Sequence, residues 1–176
     1  MTKIETNIRP AFLEYVHELN GDIELSKALM SSLKAIDNLD IAQFKSIGMK
    51  TYKKDKWTIH KIIQHLIDWE RTWCFRAVIF ARGEGTIPVA HDQEIMAQNS
   101  NAEKLSIEQL VTELRMVRQS TILMFKSFNA EILETNCKFF EYEMPLHMIG
   151  YTITAHQIHH FNIIKERYIP LDSDRS

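Results

Sequence analysis

His156 and His160 stand four residues apart in TITAHQIHHFNIIKERY, and His65 stands in TIHKIIQHLIDWERTW; both segments carry the periodicity of amphipathic helices. An α-helix turns by about 100° per residue, so an i,i+4 spacing stacks two imidazoles on one face. Ile149, Ile153, Ile163 and Ile164 share that face, which points both rings inward. An unpartnered polar group inside a core costs on the order of 1 to 3 kcal/mol. A divalent ion held by both rings, with a third ligand from another helix, would remove that cost, because neutral imidazole is the commonest protein ligand for such ions.

Three imidazoles from two helices leave coordination positions open, as a catalytic ion requires. Water on such an ion falls to a pKa near 7, and a substrate thiol there is held as thiolate. Hydrolysis and thiol transfer are therefore both open to His65, His156 and His160. The remaining histidines read differently. His159 is rotated off the His156–His160 face, His60 lies opposite its helix's tryptophan stripe, and His17 and His147 stand near helix ends; all four read as solvated or satisfied locally. His91, with Asp92 and Glu94, is a candidate fourth ligand, general base or lid contact, although a polar loop is the plainer reading. Asp68 and Glu70 are candidates to orient an imidazole, with a solvated helix rim as the plainer reading.

Four helical segments must position these groups. The first runs from about Asp22 to Asp37 on the stripe Leu25, Leu29, Leu33 and Ile36, preceded by a shorter piece from Pro10 and a bend at Asn20-Gly21. The second starts near Asp55 or Thr58, ends at Gly83, and carries Trp57, Ile62, Leu66, Trp69, Trp73, Ala77 and Phe80 inward, with His65 on the shoulder of that row. Trp69, Trp73 and Phe80 read as core, with one ring reaching a pocket. A loop of some twenty residues follows, long enough to suggest a functional role. Ser106 and Gln109 then form a capping box with Leu105 and Leu110 as its staple. The third helix continues through Leu110, Leu114, Val117, Thr121, Met124 and Phe128, while Glu113, Arg115 and Arg118 fall off the apolar face. The fourth helix begins near Met144-Pro145 and ends near Tyr168; Gly150 inside it predicts a close helix approach.

The chain has 176 residues, a 45% hydrophobic and 25% charged composition, and five glycines, which favour one helical domain spanning 1–176. Twenty-one basic against twenty-three acidic residues give a formal charge of −2 and no basic helix face, which argues against nucleic acid as a partner. The polar start and the lack of a long apolar run argue against a membrane and for the cytoplasm. Cys74 and Cys137 lack metal-ligand or redox spacing and read as core residues in a reducing compartment. The expected architecture is an all-α four-helix bundle, a fold that builds metal sites from inward side chains of facing helices.

The run Lys56-Trp57-Thr58-Ile59, then His65-Leu66-Ile67-Asp68 and Glu70, then Arg76 and Ala81-Arg82-Gly83, resembles the second helix of the DinB-like family, the DinB/YfiT-like metalloenzymes. His91-Asp92-Gln93-Glu94 resembles that family's aspartate-containing loop, Arg118 to Thr121 its third-helix arginine segment, and His156 to His160 with Glu166-Arg167-Tyr168 its closing helix. The resemblance spans nearly the whole chain and implies an up-down-down-up bundle with the metal ligands falling on His65, His156 and His160. It implies zinc or nickel as the usual ion, while three-His geometry alone also suits iron or manganese. Some members of the family are S-transferases using bacillithiol, mycothiol or a similar low-molecular-weight thiol, and others are described as metal-dependent hydrolases. The expectation is thus a metal-dependent S-transferase or hydrolase acting on a small electrophilic molecule. The competing expectation is a non-catalytic small-molecule-binding or dimerisation bundle with incidental or no metal. A homodimer fits a small bundle, but no exposed apolar stripe in the sequence marks its interface.

Overall fold

The computed structural model describes residues 13–139 and 143–172. Helices α1 (Leu13–Asp22), α2 (Leu25–Asp37), α3 (Ile41–Ile47), α4 (Ile59–Ala81), α5 (Gln93–Gln98), α6 (Ile107–Lys126), α7 (Ala130–Leu133) and α8 (His147–Ile163) follow in order. Strands β1 (Asn136–Lys138) and β2 (Glu143–Pro145) pair antiparallel between α7 and α8, with Cys137 opposite Met144. No helix among the described residues is long and apolar enough to cross a membrane.

The bundle is a ring of α2, α6, α4 and α8, each packed on its two neighbours, with α1 laid on the outside of α8. Surrounded in this way, α8 is buried all round from Ile149 to Gln157, as a helix enclosed by others must be. In an up-down-down-up bundle the second and third long helices run parallel, so the chain has to travel back along the bundle between them. A helix of 23 residues such as α4 is about 34 Å long at 1.5 Å per residue. The connection over 82–106 makes that return, and α5 and a 3-10 turn at Ala102–Lys104 give it structure of its own.

Local signals explain most boundaries. The Thr58 hydroxyl accepts from the Lys61 amide at 3.3 Å to start α4. Gly83 sits just past its end at φ +67°, a left-handed conformation that favours glycine. Ser106 and Gln109 form the capping box of α6 with both bonds present. At Gly150, an added Cβ would lie 2.7 Å from Leu25 Cδ1 and 3.2 Å from Phe125 Cε1, so the absent side chain lets α8 press against α2 and α6.

Several expected boundaries moved. Helix α1 runs through Asn20-Gly21 and the chain breaks at Ile23–Glu24 instead; Pro10 lies outside the described residues. Helix α3, with Asp40 as its N-cap, and the hairpin were not anticipated, because elements of seven and three residues are too short to show a period.

The apolar core divides along the bundle. A small cluster of Val16, Ala28, Tyr151 and Ala155 joins α1 and α2 to α8; of the two larger clusters, one gathers Ile36, Ile59, Ile63, Ile67, Leu110, Leu114 and Tyr168, and the other gathers Leu29, Trp73, Ala77, Ile122, Phe125, Leu146, Ile149 and Ile153. Between them each long helix contributes buried polar residues at one level: Ser32 from α2, His65 and Glu70 from α4, Arg118 and Thr121 from α6, His156 and Gln157 from α8.

Candidate metal centre

In this layer His65 of α4 meets His156 and His160 of α8. The Nε2 atom of His156 lies 3.0 Å from that of His65 and 3.1 Å from that of His160, and all three ring nitrogens lie within 4.8 Å of one another. His65 and His156 are buried, and His160 is partly so. The i,i+4 spacing stacks the α8 pair as expected, and packing of α4 on α8 brings the third ring from 91 residues away.

Burial holds all three rings in the neutral form. It pushes His65 down to about 4 and His160 to about 3, and His156 well below the usual histidine value. Repulsion from neighbouring imidazoles adds to burial in each case, and the positive charge of Arg118 acts further on His156. Neutral rings keep the lone pairs that a cation needs.

The donor set fits a divalent ion. A ring nitrogen carries either a proton or a lone pair in the ring plane, so His156 Nε2 cannot make two well-directed hydrogen bonds to its two neighbours. Nitrogens about 2.0–2.1 Å from a common ion at 90–109° stand about 3 to 3.4 Å apart, the range into which the two contacts fall. His160 Nδ1 is also buried without a hydrogen-bond partner.

Below the histidines Glu70, Arg118, Thr121 and Ser32 bond to one another, with Gln157 joined through its Nε2 while its Oε1 is buried without a hydrogen-bond partner. Arg118 grips Glu70 through two bonds, Nε to Oε1 at 2.7 Å and Nη2 to Oε2 at 2.9 Å, with both side chains almost fully buried. Thr121 donates to Glu70 at 2.7 Å, Arg118 also donates to the Ser32 hydroxyl, and Gln157 Nε2 donates to the Ser32 carbonyl at 2.9 Å. This corrects two expectations: Arg118 is not on the solvent side of its helix, and Glu70 is not a solvated rim residue. Neither was legible because each charge makes sense inside only when opposite the other. Cys74 lies 3.2 Å from the Thr121 hydroxyl, and burial pushes its thiol up to about 11 and that of Cys137 to about 12, so neither is a thiolate at neutral pH.

The outer side of the cluster is aromatic. The Trp57 ring centroid is 4.9 Å from that of His65, and Trp69 stands 6.1 Å from His65 and 6.4 Å from His156. The 82–106 connection reaches both tryptophans. His91 stacks on Trp69 at 4.8 Å, and the Trp57 indole donates to Glu94 at 3.2 Å. Arg76, beside the Trp73 ring at 4.7 Å, donates to the Val89 carbonyl and ties down the same segment. Tyr168 donates to the Trp57 carbonyl from the end of the α8 segment. His91 therefore lies at the rim and is not among the three converging rings. Asp92 caps α5 with its carboxylate, and Asp68 accepts from Gln64 at 2.9 Å.

Among the other histidines, His147 is satisfied locally by the Leu133 carbonyl and Glu134 as expected. His60 is a correction: it is buried, with Nδ1 unpartnered. Its position opposite the tryptophan stripe suggested solvent, but α4 is covered on that side too, as buried Ile59, Ile63 and Ile67 show.

A search of curated proteins returns no match. Among solved structures the chain is similar to YfiT from Bacillus subtilis, described as "a probable metal-dependent hydrolase with an unusual four-helix bundle topology". The TM-score is 0.65 at 12% identity, covering 94% of this chain and 90% of that one, which establishes a shared fold. The model of the DinB superfamily matches residues 24–164. Bundle, order of elements and family match agree, and this chain belongs to the DinB superfamily.

Proposed function

We propose that the protein is a metal-dependent enzyme in which His65, His156 and His160 hold one divalent ion, zinc or nickel before iron or manganese, at the open end of the polar layer. The observation that carries this reading is the convergence of three imidazole nitrogens, His156 Nε2 at 3.0 and 3.1 Å from the other two and all within 4.8 Å, where one ring nitrogen cannot direct a hydrogen bond to both neighbours at once. When bound, the ion supplies Lewis acidity, bringing the pKa of water toward 7 or holding a thiol as thiolate.

The chain's own residues do the rest. Burial keeps the three rings deprotonated so that the ion's charge is undiluted. Trp57 and Trp69 flank His65 and thin out bulk water around it, which strengthens electrostatic interactions there. Burial keeps both cysteine thiols protonated at neutral pH, which removes them as nucleophiles and favours water or a low-molecular-weight thiol attacking a small electrophilic molecule. The activity is then that of a hydrolase or a thiol S-transferase.

Metal analysis of tag-free protein tests this, with about one divalent ion per chain expected in the natural protein and loss of it in His160→Ala. Equal metal content in both would overturn the proposal. A panel of electrophiles with water or cellular thiols as nucleophile then separates the two activities, with turnover expected to vanish on chelation.

A further inference from the structure

Two indoles flank His65, and they differ in one respect. The Trp57 N–H is taken by Glu94 at 3.2 Å. The Trp69 Nε1 is buried with no hydrogen-bond partner. Its ring neighbours include His65 and His156, edge-on at 6.1 and 6.4 Å, and His91, stacked at 4.8 Å. A buried donor without an acceptor is rare and asks for a reason. We propose that Trp69 is a specificity-determining residue, its indole N–H donating to an oxygen acceptor, carbonyl or carboxylate, of the small molecule that occupies the three-histidine site.

This rests on the metal-site reading above and narrows it to a substrate class. A site that keeps an unanswered donor next to the reaction centre rewards a molecule that brings an oxygen to it, and penalises one that buries it against hydrocarbon or halogen. Electrophiles activated by a carbonyl group therefore fit better than simple alkyl halides. His91 is exposed and carried on the loop, so it is the neighbour of Trp69 that yields space as the ligand enters. The anchors of that loop, Arg76 on the Val89 carbonyl and Glu94 on Trp57, lie to either side of His91 in sequence and hold the segment there.

The test uses nitrogen-15-labelled full-length protein loaded with Zn2+, whose three indole N–H signals come from Trp57, Trp69 and Trp73. Acetohydroxamate serves as the probe, since it binds divalent ions and presents oxygen acceptors. Zn2+ uptake is measured first, by calorimetry. On adding acetohydroxamate, the Trp69 indole proton is expected to move downfield as it gains a bond while the Trp57 signal stays in place. Trp69→Phe, which keeps the ring and deletes the N–H, is expected to bind the probe about five- to tenfold more weakly. If Zn2+ binds but the probe does not, or the probe binds with the Trp69 signal unmoved, the inference fails and the metal site stands. If the natural protein takes up no Zn2+, both fall together. The spectral shift is read on the natural protein, so the outcome does not depend on the variant folding.

Discussion

The polar layer has two halves, and they treat burial in opposite ways. In the inner half, Glu70, Arg118, Thr121 and Ser32 answer each other's bonding capacity with two charged bonds and two hydroxyl contacts. In the outer half, His65, His156 and His160 point like atoms at one another, and His160 Nδ1 and Trp69 Nε1 have no partner. Both halves are surrounded by the same apolar clusters. A closed network contributes architecture, whereas unpartnered polar atoms leave bonding capacity that a group from outside the chain could take up. The inner half also serves the outer one, since the Arg118 charge helps keep His156 neutral.

The largest expected effect comes from opening the closed half. Glu70→Ala strands the Arg118 guanidinium in the core and should cost about 3–5 kcal/mol of stability in urea or guanidinium unfolding. The double variant Glu70→Leu with Arg118→Met removes both charges and should recover most of that loss. Additive losses in the double variant would mean that the two halves are not organised as described.

Acid should attack the open half. In metal-stripped protein the folded-state values of His65 and His160, about 4 and about 3, lie below the unfolded value of 6.5. The unfolded chain then binds more protons between those limits, so stability is fully present above pH 6.5 and is lost as pH falls toward 4 and 3. From His65 alone the loss by pH 4 is on the order of 3 kcal/mol, at about 1.4 kcal/mol per unit. Unfolding midpoints measured from pH 7 to pH 4 check this, and a flat profile would contradict the neutral-ring account. His65→Phe should flatten part of the slope.

Filling the open half should stabilise it. Zn2+ at a hundredfold excess over its Kd is expected to add about 2.7 kcal/mol to the natural protein. In His156→Ala the same addition should leave the melting temperature unchanged. The smallest effect belongs to the rim, where Glu94→Gln weakens the hold of α5 on Trp57 and should cost under about 1 kcal/mol, seen as a slight drop in melting temperature.

The contrast between the halves also marks what sequence reading could reach. The α8 histidine pair was legible because it obeys a local rule, and the capping box at Ser106 and the close approach at Gly150 were legible for the same reason. Arg118 was misread because a charge on a helix is assigned outward unless its partner is known, and that partner sits 48 residues away on α4. Trp69, Trp73 and Phe80 were expected to be core with one ring reaching a pocket, and Trp57 was not among them. Trp73 is indeed core, whereas Trp57 and Trp69 border the histidines, a division that follows from the neighbours on α8 and the 82–106 connection.

Helical periodicity and a 100° turn per residue suffice to put His156 and His160 on one face and to cap and end the long helices, because these depend on residues within one or two turns. Whether His65 meets that pair depends on how α4 is rotated and seated against α8. So does the pairing of Glu70 with Arg118, the stacking of His91 on Trp69, and which indole is left without an acceptor. These are contacts across tens of residues, set by how apolar faces interlock, and only the packed bundle decides them.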